Sequence, residues 1–140
     1  MPFLTRLIIK TSLVCFVLAL LTGAVILVGP ALGLRGFPFN LPALRPVYLH
    51  LLMVGWVTQL IIGVGYWMFP KYSQERPRGN DLLAWSVYIC LNFGLLLRVV
   101  GEPLSVLRPG WGWLLAASAV LQLTAGLAFI LNTWPRIKER

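Results

Sequence analysis

The chain has 140 residues, 59% of them hydrophobic and only 11% charged, and a net charge of +8. Soluble domains are about half apolar and a quarter charged, so this balance excludes an ordinary soluble globule. It leaves one small integral membrane domain, with no room for a separate catalytic unit. The Lys and Arg residues gather at the ends of apolar runs, where they meet lipid headgroups, and no continuous basic face remains to follow a nucleic acid.

Taken in order, the first apolar run predicts a transmembrane helix over about 7–28, behind Arg6 and Lys10 and ending at Gly29-Pro30. It is long for the apolar core of a signal peptide. Residues 29–46 carry four prolines and three glycines, which cannot continue a helix, so a loop is expected there with Phe37 and Phe39 at the interface. A second helix is expected over 47–69, with Pro46 in its first turn and Pro70 just past its end. After a polar loop, Asn80 and Asp81 provide a cap and a dipole-matched acid for a third helix over 81–100. The fourth is expected over 111–134, followed by a basic tail.

The fold class is therefore all-α, a four-helix membrane bundle running up-down-up-down. Eight Lys and Arg lie with the two termini and the loop between helices two and three, against Arg35, Arg45, Arg98 and Arg108 on the other side. The positive-inside rule then places both termini in the cytoplasm, as a multi-pass protein of the cell inner membrane.

His50, the single histidine, stands at the outer end of helix two. It reads either as an interfacial anchor or interhelical hydrogen-bonding group, or as an axial haem ligand or proton-handling group. Val54 and Val57 share its face in an α-helix, and suit a porphyrin or ordinary core equally. Gly55, Gly63 and Gly65 permit a close approach to helix two. Arg98 and Glu102, four apart, can pair, and Arg98 could alternatively clamp a haem propionate or a partner subunit. Helix four offers small residues (Gly112, Ala116, Ala119, Gly126) for close packing, within the bundle or between chains. Cys15 and Cys90 read as packing residues. One histidine and four acids fit no ordinary zinc or copper site, and no hydrolase triad, P-loop or dinucleotide fingerprint is present.

From His50-Leu-Leu-Met53-Val-Gly55 through Gly63-Val-Gly65 to Phe69-Pro70, helix two resembles the second helix of the catalytic subunit of haem-copper oxidases and nitric oxide reductases. The resemblance covers about 25 residues strongly. It implies His50 as a ligand of low-spin haem b, with roles in electron transfer, haem handling or a respiratory chain. That family's subunit has about twelve helices and further histidines, none present here, so the resemblance implies a small haem-binding protein and not an oxygen or nitric oxide reductase acting alone. The alternative is a haem-free structural subunit of a respiratory or other membrane complex.

Thr58, Gln59, Asn92, Ser118, Gln122 and Thr124 are many polar groups for one small bundle, which favours a homo-oligomer. A trimer is expected ahead of a dimer, because the resembled family arranges its helices as three arcs of four.

Overall fold

The computed structural model describes residues 2–33, 41–73 and 79–137. The expected interfacial placement of Phe37 and Phe39, and the charges of Arg35, Arg76, Arg78, Lys138 and Arg140, lie outside the described residues.

Four helices are long and apolar enough to cross a membrane: α1 Phe3–Val28, α2 Leu44–Met68, α3 Asp81–Leu107 and α4 Trp113–Arg136, the last turn of α4 being a 3-10 turn. Together they form the all-α bundle expected. Consecutive helices are antiparallel neighbours. Gly23 meets the Tyr48 ring, Gly55 meets Cys15, and Gly63 meets Ile8, so α1 and α2 run in opposite directions. Likewise Gly94 meets Ser118 and Gln122 while Gly101 meets Leu114, which sets α3 against α4. Direct packing between α1 and α4 is slight among the described residues, so the bundle is open between its first and last helices.

Two buried clusters hold these pairs. One joins Ile8, Ile62, Tyr66, Val87, Leu91 and Ala125 in the half of the bundle that carries the termini. The other joins Cys15, Ala19, Val47, Leu51 and Leu95 in the opposite half. Cys15 is thus a packing residue, and both cysteines are free thiols.

The helix ends depart from the sequence expectation for local reasons. α1 begins at Phe3, so Arg6 and Lys10 stand inside its first turns and not ahead of it. α2 begins at Leu44; Pro46 causes no loss there because the first N–H groups of a helix have no intrahelical partner. It stops at Met68 because Phe69, preceding Pro70, is pushed to extended backbone, φ −63° and ψ 147°. α3 continues through Pro103 to Leu107, where a loop was expected after residue 100. A membrane helix tolerates an internal proline, and the Arg108 N–H closes the end on Leu104 O at 2.8 Å. Asn80 caps α3 as expected, its side chain accepting from the Leu82 N–H at 2.9 Å.

Inside α2, Leu51–Thr58 is π-helical. The wider coil sets the Gly55 backbone against Cys15 of α1 and Leu95 of α3; a β-carbon there would lie 2.9 Å from each side chain. It also shifts the register beyond His50. Val54, one turn after the histidine, packs against both buried clusters.

Candidate functional site

His50 closes the α-helical first part of α2, immediately before the π-helical segment, and is half-buried. Its Nδ1 lies 2.8 Å from the Pro46 carbonyl oxygen one turn earlier. A carbonyl only accepts, so Nδ1 carries the proton and Nε2 holds the lone pair. Among the described residues nothing hydrogen-bonds Nε2. Metal-binding histidines usually donate their second ring nitrogen to a carbonyl or carboxylate, which fixes tautomer and ring orientation. π-helical insertions recur at functional sites, and this one begins at the residue after the histidine.

Arg98, the other expected cofactor-binding residue, lies on α3 with its Nε 2.9 Å from Glu102 Oε1. The N–H is not aimed along that line, so the contact is an electrostatic pair and not a well-formed hydrogen bond. Both side chains are largely shielded. The pair stands within α3, since the helix runs on past both residues. No hydrogen bond or ion pair joins Arg98 to His50 among the described residues.

A furrow of about 730 Å³ runs between α1, α2 and α3. Its floor includes Val47 and Leu51, and its walls include Val14 and Leu18 on one side and Leu95 and Val99 on the other. His50 does not line it. Toward the end that carries the termini it meets a polar contact, Thr11 Oγ1 with Tyr88 Oη at 3.1 Å. The Thr11 hydroxyl donates to Leu7 O at 2.9 Å, so Tyr88 is the donor to Thr11.

Most of the polar residues whose partners seemed to require a second chain find them within this one. Ser118 Oγ donates to Gly94 O at 2.6 Å, and Gln122 Nε2 donates to Ser118 Oγ at 3.2 Å. Gln59 Nε2 donates to Asn92 Oδ1, Asn92 Nδ2 to Tyr88 O, and Thr124 Oγ1 to Val120 O. Thr58 is exposed, and Gln59 Oε1 has no partner among the described residues. The helix-two glycines serve ordinary packing, Gly55 and Gly63 against α1 and Gly65 toward Phe129. At and along α4, in contrast, Gly112 (its N-cap) and Gly126 face open space among the described residues, and Ala116 and Ala119 are exposed.

Comparison with protein-family models, curated proteins and solved structures returns no match to this chain. The candidate site therefore stands on its own geometry.

One residue escaped the sequence reading. Arg136, taken as part of a basic tail, is only 1% exposed. It donates from Nε to Pro70 O at 3.0 Å, and from Nη2 to Phe69 O at 2.8 Å and Tyr66 O at 3.2 Å. Its guanidinium lies over the Phe69 ring, 5.9 Å from the centroid. The carbonyls at and just past the end of α2, which lack intrahelical donors, thus receive a cation from the end of α4. Beside it, Asn132 Oδ1 accepts from the Asn80 N–H at 2.8 Å, tying the start of α3 to α4. The sequence signal was Pro70, which announces a helix end whose carbonyls need donors.

Proposed function

We propose that this protein binds haem b through His50 and serves in electron transfer or haem handling at the inner membrane. The observation that carries the proposal is the His50 Nδ1 to Pro46 O hydrogen bond, which leaves Nε2 as the free ligand atom. Haem supplies one-electron redox chemistry at its iron. The chain's part is to hold the imidazole in one tautomer and orientation. Arg98 retains further N–H donors beyond the one beside Glu102, and these suit a propionate.

Each chain brings a single histidine, and the large furrow does not include it. A haem held at His50 therefore calls for a second surface, which supports a homo-oligomer: a dimer with two His50 side chains on one haem, or the trimer that the resemblance favours. The internal pairing of the polar residues removes the other argument for oligomers, leaving this one. Visible spectra of the purified chain, oxidised and dithionite-reduced, test the reading. A Soret band with a sharp reduced α-band is expected, and a colourless, folded preparation from haem-replete cells would sink it. Native mass spectrometry in mild detergent tests the oligomer.

A haem-free structural subunit of a respiratory or other membrane complex is the second reading. It is favoured by the small residues Ala116 and Ala119 of α4, with Gly112 just before it, which the described residues leave uncovered. A colourless preparation that copurifies with other membrane subunits is its signature.

A further inference from the structure

The stripe Phe3, Leu7, Lys10, Val14, Leu18 and Leu21 lies on one face of α1, at helical spacings of three and four. Its first part lines a small pocket of about 220 Å³ formed by Phe3, Arg6, Leu7 and Lys10. Its later part, from Val14 on, is the α1 wall of the furrow. A cationic pocket thus leads along a single helix face into an apolar channel.

Arg6 and Lys10 are both exposed and one turn apart, a like-charge spacing that is repulsive in a helix. Neither has an ion-pair partner among the described residues, where Glu102 is taken by Arg98. Phe3 and Trp85, with ring centroids 6.4 Å apart, stand at the same end, as aromatic residues do at a headgroup boundary. An anion between the two cations would turn their repulsion into attraction. A zwitterionic headgroup brings its own cation and does so less well.

We propose that this face binds one anionic phospholipid, its phosphate on Arg6 and Lys10 and an acyl chain lying in the furrow between α1, α2 and α3. The lengths agree. Lys10 to Leu21 rises about 16 Å at about 1.5 Å per residue, and one leaflet contributes about 15 Å of hydrocarbon. The chain passes over Thr11, whose hydroxyl is already committed to Leu7 O and accepts from Tyr88, so no polar donor is left facing the lipid tail from that residue. The site is separate from His50 and does not depend on haem.

The test uses the full chain in nanodiscs of equal phosphatidylglycerol and phosphatidylcholine, released into the gas phase for native mass spectrometry. One retained phosphatidylglycerol is expected, preferred about thirtyfold, the effect of two surface charges. The double variant Arg6→Gln, Lys10→Gln should lose that preference. Leu18→Trp, which fills the furrow from an exposed position, should reduce retention while leaving both cations in place. Arg108→Gln, at the far end, should change nothing. Circular dichroism confirms the helices in each variant. An unchanged preference in the double variant, an equal loss in Arg108→Gln, or full retention in Leu18→Trp would each overturn the proposal.

Discussion

His50 and Pro46 are joined by a hydrogen bond of 2.8 Å from imidazole Nδ1 to the proline carbonyl, across one turn near the start of α2. The bond spends the nitrogen that carries the proton and leaves the other as a ligand. It also ties the ring to a helix end whose geometry Pro46 stiffens. If haem is bound there, His50→Ala should abolish the Soret band while leaving the far-ultraviolet circular dichroism of the bundle intact. Added imidazole should restore part of the band, because the cavity left by the ring admits it. A mutant that retains haem with an unchanged spectrum would remove His50 as the ligand.

Arg136 gives a prediction about stability alone. Its donors reach three carbonyls at the end of α2, and a hydrogen bond from a charged group contributes roughly 1.5–3 kcal/mol net of exchange with water, while bonds that share one side chain do not simply add. Arg136→Met should therefore cost about 3 kcal/mol, read as a lower midpoint in detergent-induced unfolding. Arg136→Lys keeps the charge but not the planar fork, so it should fall between the two. Equal midpoints for wild type and Arg136→Met would show that water replaces the guanidinium without loss.

Gly55 is a close approach between α2 and two other helices in the half of the bundle away from the termini. A β-carbon there would meet Cys15 Cβ and Leu95 Cδ2 at 2.9 Å, and both residues are buried, with little room to yield. Gly55→Ala should destabilise by about 2 kcal/mol through overpacking. In a Leu95→Ala background the same change should cost about 1 kcal/mol less, because the neighbour has been cut back and the two sites couple. Strict additivity across that cycle would mean that the clash is relieved elsewhere, through Cys15 or the π-helical turn.

What the sequence revealed of this fold follows from the range over which each signal acts. Four helices were legible because each apolar run is long enough to span a membrane, and Pro46, Pro70 and Asn80 mark ends by local chemistry alone. The extension of α3 past Pro103 was not, since proline usually ends a helix in water and does so less strictly in lipid. The π-helical turn depends on where Gly55 meets two other helices, which no local pattern encodes. Arg136 looked like one more headgroup contact; its burial depends on where α2 ends in space. The polar residues were counted correctly, but their partners within the chain were not legible. Their spacing within α2, α3 and α4 does not reveal that Ser118 faces Gly94 or that Gln59 reaches Asn92. At the candidate site, the importance of His50 was legible from its uniqueness, while the commitment of Nδ1 to Pro46 required coordinates.

The orientation of the bundle is the last expectation, and it rests on charge. The side bearing both termini carries eight Lys and Arg against four on the other, which predicts that side in the cytoplasm. Lys71 and Arg108 lie just beyond opposite helix ends, the first after α2 and the second after α3, and both are exposed. In a background with Cys15 and Cys90 replaced by alanine, Lys71→Cys and Arg108→Cys place one thiol on each side. Removing one charge leaves the excess intact in either variant, so the substitution does not bias its own readout. A membrane-impermeant maleimide added to intact cells should label the Arg108→Cys variant rapidly, and the Lys71→Cys variant only after the cells are opened. The reverse order would invert the bundle and put His50 near the cytoplasmic face.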